Sequence, residues 1–126
     1  MKNCEFCNIE KNRIVIESEL SIAFYDKFPV NIGHILVMPK RHISDYFDLS
    51  SIEKSDIWNL VDRVKQFLEE EYNPNGFNIG INVGKTSGQT IFHCHIHLIP
   101  RYSGDVDNPE GGVRGVIPNK QKYKNE

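Results

Sequence analysis

The run Gly88-Gln89-Thr90-Ile91-Phe92-His93-Cys94-His95-Ile96-His97-Leu98-Ile99-Pro100-Arg101 constrains this chain more than any other stretch. Histidine alternates with apolar residues at a period of two, the period of a β-strand, where successive side chains point to opposite faces. His93, His95 and His97 are then expected in a row on one face, at intervals of about 6.6 Å, with Phe92, Cys94, Ile96 and Leu98 turned into a core on the other. Three of the chain's five histidines stand in that row. A neutral imidazole has one donating and one accepting nitrogen, so such a row can supply a nucleophile, proton donors and a metal ligand. The concentration of imidazoles argues against a merely solvated polar face.

Four further strands are expected around it, at Arg13–Glu17, Leu20–Asp26, His34–Met38 and Phe77–Asn82, with the histidine strand itself spanning Ile91–Ile99. Each is rich in β-branched, apolar or aromatic residues and bounded by Gly, Pro, Asn or Ser. One long helix interrupts them. Ser50 and Glu53 form a capping-box pattern, Ile57, Leu60, Val61, Val64, Phe67 and Leu68 recur at helical spacing, and Asn73-Pro74 stops the run. A shorter helix is expected over Phe6–Lys11. Because helices and strands do not alternate strictly, the pattern reads as α+β with a mostly antiparallel five-stranded sheet, one long helix and one short one. The 126 residues make one domain (1–126), with an irregular tail at 102–126 beyond a core of about 4–101.

A formal charge of −2 provides no basic field for a polymeric nucleic-acid backbone, which excludes DNA or RNA as the main partner. Uncharged stretches such as Val30–Met38 fall far short of the roughly 20 apolar residues of a membrane span, and Met-Lys-Asn-Cys carries no apolar signal core. A cytoplasmic location without membrane contact is therefore expected. Three cysteines, an odd number, point away from a disulfide framework and towards metal binding or free thiols. Cys4-x-x-Cys7 supplies two thiolates; with two imidazoles from among His34, His42 and the row they would close a tetrahedral Cys₂His₂ site suited to structural zinc. Cys94, facing away from the histidine row, is excluded from it.

The His-x-His-x-His strand resembles the signature of the histidine triad (HIT) superfamily. The likeness extends through Ala23-Phe24-Tyr25-Asp26, Asn31-Ile32-Gly33-His34-Ile35-Leu36-Val37 and Pro39-Lys40-Arg41-His42, and covers about residues 4–101. The resemblance implies a HIT-like fold and a nucleotide hydrolase in which His95 attacks the α-phosphorus and carries the nucleotidyl group covalently. It implies that His97 donates to a phosphate oxygen. Gln89 and Thr90 fall where the family contacts the phosphate and the leaving group, with Gly88 allowing close backbone approach. The uridylyltransferase branch carries Gln where this chain has His97, so hydrolysis is expected rather than transfer to a sugar phosphate.

By the same resemblance, zinc-bearing bacterial members pair their cysteines with the residues here numbered His42 and His93, which leaves His95 and His97 free for chemistry. Asp26 stands where the family accepts ribose hydroxyls, and Asn82 where it approaches the phosphates. Phe6 and Phe24 are the expected walls of a base slot, chosen from a set that includes Ile9 and Phe28. His34 matches a residue packed behind the site, with a role as a buried, hydrogen-bonded histidine. A homodimer is implied as well. Gly88-Gln89-Thr90 with Pro100-Arg101 leans towards the Fhit-like branch that cleaves dinucleoside polyphosphates such as diadenosine tetraphosphate. Arg101 and Arg114 are expected to hold the distal phosphates, although Glu110 stands beside that path. The competing expectations are a Hint-like purine nucleoside phosphoramidase and a nucleotide-binding regulator without turnover.

Overall fold

The computed structural model describes residues 3–123. Five strands form one sheet: β1 (Ile14–Glu17), β2 (Ser21–Tyr25), β3 (Ile35–Pro39), β4 (Gly76–Ile81) and β5 (Ile96–Arg101). Their order is β1-β2-β3-β5-β4, and every neighbouring pair is antiparallel. The α+β expectation is met, and the first four strands fall within a residue of their expected ends at nearly every boundary.

The long helix, α1 (Ser51–Tyr72), begins and ends where its sequence signals stand. The Ser50 side chain accepts from Glu53 N, and the Glu53 carboxylate accepts from Ser50 N, so two otherwise unpaired backbone donors are satisfied reciprocally. Asn73 closes the helix in the left-handed conformation, at φ 50°. Ile57, Leu60, Val61, Val64 and Leu68 form a buried stripe packed on Ala23, Ile35, Val37, Ile96 and Leu98 of the sheet. Each large aliphatic side chain buried there contributes about 1.5–3 kcal/mol. With one face of the sheet covered by α1, the opposite face, carrying Ile22, Phe24, Leu36 and His97, is left to build a site.

Glu53 also receives both forks of Arg41, at 2.9 and 2.8 Å, which fixes the segment leading to His42. Arg41, followed by the Ser50 backbone, holds the Glu53 carboxyl down to about 2. A carboxylate held below its unfolded value stabilises the fold above that value and loses the effect as pH falls through the folded one. The melting temperature therefore drops between about pH 4.5 and about pH 2. A Glu53→Gln variant, followed by thermal melts across that window, shows a shallower drop.

Two elements differ from expectation. The short helix over Phe6–Lys11 is instead a pair of 3₁₀ turns, Glu5–Asn8 and Lys11–Arg13. Ile9 and Glu10 are extended, at ψ 133° and 134°, and this breaks the run between the two turns. The histidine strand starts at Ile96, not Ile91. Ladder pairing to β3 ends at Val37–Ile96, after which Cys94 N donates to Ile43 O and the Pro39 carbonyl accepts from His93. Only His97 lies within the strand; His93 and His95 precede it. Phe92, expected in the core, is exposed. The tail is irregular, with short 3₁₀ turns at Gly112–Val116 and Pro118–Lys120; its last residues, 124–126, lie outside the described ones.

Candidate active site

The end of β2, the start of β5 and the loop after β4 enclose a cavity of about 400 Å³. His95 and His97 lie on its floor, with Asp26, Asn82, Gly88 and Thr90 around it and Phe6 as an apolar wall. Gly88 makes its turn at φ 101°, a conformation that side chains disfavour. Phe24, expected to face a base, is fully buried one layer behind, its ring edge-on to Phe6 at 5.2 Å. The cavity wall there belongs to Phe6, whose ring also meets His95 edge-on at 4.9 Å.

Hydrogen bonds fix the tautomer of each imidazole. His95 Nδ1 lies 2.8 Å from the His93 carbonyl, which can only accept, so Nδ1 carries the proton and Nε2 keeps its lone pair for the cavity. His34 Nδ1 accepts from the Val30 amide at 3.0 Å, which places the proton on Nε2. That Nε2–H donates to His97 Nδ1 at 3.0 Å, and His97 is left with its own proton on Nε2. His34 is thus a hydrogen-bonded support that sets His97 as a donor. Burial depresses all three rings: His95 and His34 lie below the ordinary imidazole value, and His97 falls to about 4, aided by the neighbouring His95 and His34. The row is held neutral, with one free lone pair and one outward N–H.

Asp26, His34 and His97 bring three potential ligand atoms within 4.8 Å of one another. The Val30 amide makes this a proton-ordered cluster rather than a metal centre. A metal on His34 Nε2 would require the proton to move to Nδ1, where the amide already donates. Asp26 accepts from Phe28 N through Oδ1, and its Oδ2 lies 3.5 Å from His34 Nε2.

A different chemistry holds beneath the cavity. Cys4, Cys7, His42 and His93 place their ligand atoms within 4.8 Å of one another, with Cys7 Sγ 3.2 Å from His42 Nδ1 and 3.5 Å from His93 Nδ1. His93 donates Nε2–H to the Pro39 carbonyl at 2.8 Å, so its Nδ1 lone pair faces the thiols. These four residues fit one metal ion. Cys94, next to His93 in the chain, is not part of the cluster; it is buried, and burial pushes its thiol up to about 12.

Three expected contacts take other forms. Gln89 borders the cavity, but its amide is engaged with backbone: Oε1 accepts from Gly84 N, and Nε2 donates to the Ser44 and Ile91 carbonyls. No amide hydrogen is left for a phosphate, and Gln89 instead braces the 84–91 loop. Arg101 is occupied by Asp105, through two bonds of 2.8 Å, and by Asn78. Arg114 donates to the Gln121 carbonyl and lies over the Tyr123 ring. Neither arginine lines the cavity within this chain. Conversely, Glu5, Arg13, Lys27, Phe28, Leu36 and Ile91 line it. Of these only Phe28 carried a sequence signal, as a member of the aromatic set; Arg13 precedes β1 with nothing in its spacing to mark it.

A His-x-His-x-His run that leads into a central strand of an antiparallel sheet, here His93, His95 and His97 entering β5, marks a histidine-triad protein. The chain belongs to the HIT family: the HIT domain model matches residues 8–104. A bis(5'-adenosyl)-triphosphatase of Dictyostelium discoideum is 40% identical over 100 residues, covering 79% of this chain and 67% of the relative. The crystal structure of a HIT family protein from Bacillus anthracis is similar at a TM-score of 0.75 and 42% identity, covering 81% of this chain and 75% of the other. A Zn-bound histidine triad family protein from Mycobacterium smegmatis gives a TM-score of 0.75 at 33% identity, over 82% and 78% of the two chains.

Proposed function

We propose that this protein is a nucleotide hydrolase that cleaves at the α-phosphorus of a dinucleoside polyphosphate through a nucleotidyl group carried on His95. The observation that carries the reading is the His95 tautomer: Nδ1–H is tied to the His93 carbonyl, and Nε2 is free in a cavity bordered by His97, Asp26, Asn82 and Thr90. In the first step the Nε2 lone pair forms a bond to phosphorus while the bond from phosphorus to the leaving oxygen breaks, its electron pair departing with the leaving phosphate. His97 Nε2–H donates to a phosphate oxygen, which disperses the developing charge. Water then attacks the same phosphorus and gives up a proton to solvent, while the P–N bond breaks with its electron pair returning to Nε2, which regenerates neutral His95. Asp26 accepts the ribose hydroxyls, Phe6 borders the base, and Gly88 lets the backbone approach the phosphates.

The metal in this reading is one structural zinc. In a tetrahedral zinc site, sulfur and nitrogen ligands stand about 3.6 Å apart, given bond lengths near 2.3 and 2.05 Å. The cysteine–histidine separations of 3.2, 3.5 and 3.6 Å agree with that. A closed four-ligand ion leaves no position for water, and its role is to pin the N-terminal turn to the sheet.

The second reading, a nucleoside phosphoramidase, draws on the engagement of Arg101 and Arg114 away from the cavity, which takes both from the distal phosphates of a polyphosphate leaving group. Steady-state assays with diadenosine tetraphosphate and an adenosine phosphoramidate decide between them. The polyphosphate is expected to give the higher kcat/KM; the reverse order supports the phosphoramidase. Nucleotide binding without turnover of either leaves a regulator. The active species is proposed to be a homodimer, supported by the outer edge of β4, unpaired among the described residues, and by Trp58 on α1. Sedimentation of the assayed protein at micromolar concentration is expected to show twice the chain mass.

A further inference from the structure

We propose that Arg13 sets the base preference of the cavity and favours guanine over adenine, an inference that rests on the nucleotide reading above. Arg13 lies in the turn before β1, and its guanidinium sits 5.3 Å from the centroid of the Phe24 ring. Nε and Nη2 both donate to the Tyr25 carbonyl, at 3.3 and 3.1 Å. Those two bonds, with the ring beneath, hold the guanidinium plane in place. A guanidinium has five N–H groups, and the other three have no hydrogen-bond partner among the described residues. They include the parallel pair on Nη1 and Nη2, the end of the fork that recognises two adjacent acceptors.

The surroundings decide what that fork can read. Arg13 lines the same cavity as His95, alongside the apolar side chains of Phe6, Phe28, Leu36 and Ile91. When a ribose meets Asp26, those side chains offer the faces of the base no hydrogen bond, so the polar discrimination falls on its edge. Guanine presents two acceptors side by side, O6 and N7, which an arginine fork meets with two parallel bonds. Adenine presents N7 beside an amino donor. Its N6–H would oppose an N–H of Arg13, and Phe6, Phe28, Leu36 and Ile91 offer neither donor an acceptor, so the facing pair is costly. Lys27, also on the cavity wall, is a flexible point charge without the planar geometry to make this distinction.

The test compares diguanosine and diadenosine tetraphosphates, each symmetric so that the base in the cavity is unambiguous, on the full chain and on Arg13→Lys. Lysine keeps the positive charge over Phe24 but loses the fork. The parent chain is expected to favour the guanine substrate in kcat/KM by about tenfold or more, the scale of one good bidentate base contact. In Arg13→Lys the ratio is expected to collapse to within about threefold, with both substrates still turned over and the melting temperature close to that of the parent. Calorimetry with GMP and AMP should show the same ordering. Equal turnover of the two substrates by the parent, an adenine preference, or a ratio unchanged in Arg13→Lys overturns this inference and leaves the hydrolase reading standing. Absence of turnover together with absence of GMP and AMP binding overturns both.

Discussion

A His95→Ala variant is expected to hydrolyse substrate slower by at least about 10⁴-fold, the scale of loss when a covalent nucleophile is removed. The size of the effect follows from the tautomers. His95 is the imidazole whose Nδ1–H is held by a backbone carbonyl while Nε2 stays unprotonated towards the cavity, and His97 presents an N–H in its place. His97 therefore cannot substitute as nucleophile without breaking the bond from His34. A His97→Gln variant is expected to lose roughly 10²- to 10³-fold, the range of a proton donor, and still to form the covalent species. Rapid quenching into alkali, where a phosphorus–nitrogen bond to histidine survives, followed by peptide mapping, should find the nucleotide on His95 in the parent chain and in His97→Gln. Thermal melts separate chemistry from folding, since His95 packs on Phe6 and its loss opens space there. Near-parental turnover by a folded His95→Ala would remove the basis of the mechanism.

His34 shows why this arrangement is hard to read from sequence. The triad spacing identifies three imidazoles but not which nitrogen of each holds a proton. That assignment comes from Val30, four residues before His34, from the Pro39 carbonyl that the fold brings to His93, and from the turn that sets the His93 carbonyl against His95. Alternation likewise records which way a side chain faces, not whether its backbone is paired. It placed His95 and His97 beside one cavity, yet put the strand start five residues early, because the backbone before Ile96 turns to Ile43 instead of the ladder. The helix was legible almost residue by residue, its cap, buried stripe and stop being local signals. Gln89 and Arg13 are the opposite case. Gln89 stands in the motif, but its amide is spent on the backbone of Gly84, Ser44 and Ile91. Arg13 stands outside any motif and reaches the cavity only because the turn before β1 folds it over Phe24. Long-range packing decided both.

Loss of the proposed zinc is expected to have the second largest effect, on stability first and on substrate affinity through it. The Cys4–Cys7 turn carries Phe6 between its two thiols, and Phe6 is at once a buried core residue, an edge contact of His95 and a wall of the cavity. Phe6, with Ile9 packed beside it, and the four ligands fasten this segment to the sheet. Binding free energy at a structural site is folding free energy for the part it holds. Protein prepared without chelator should contain one zinc per chain by elemental analysis. Cys7→Ser, or exhaustive chelation of the parent, should lower the melting temperature by about 10 °C, corresponding to a few kcal/mol in a domain of this size. With the turn released, the Phe6 wall loosens while the His95–His93 carbonyl bond persists, so KM is expected to rise more than kcat falls. Metal-free protein as prepared, with Cys7→Ser melting at the parental temperature, would refute the structural role. A loss confined to kcat, with KM and stability unchanged, would instead assign the ion to the chemical step, against the closed geometry of Cys4, Cys7, His42 and His93.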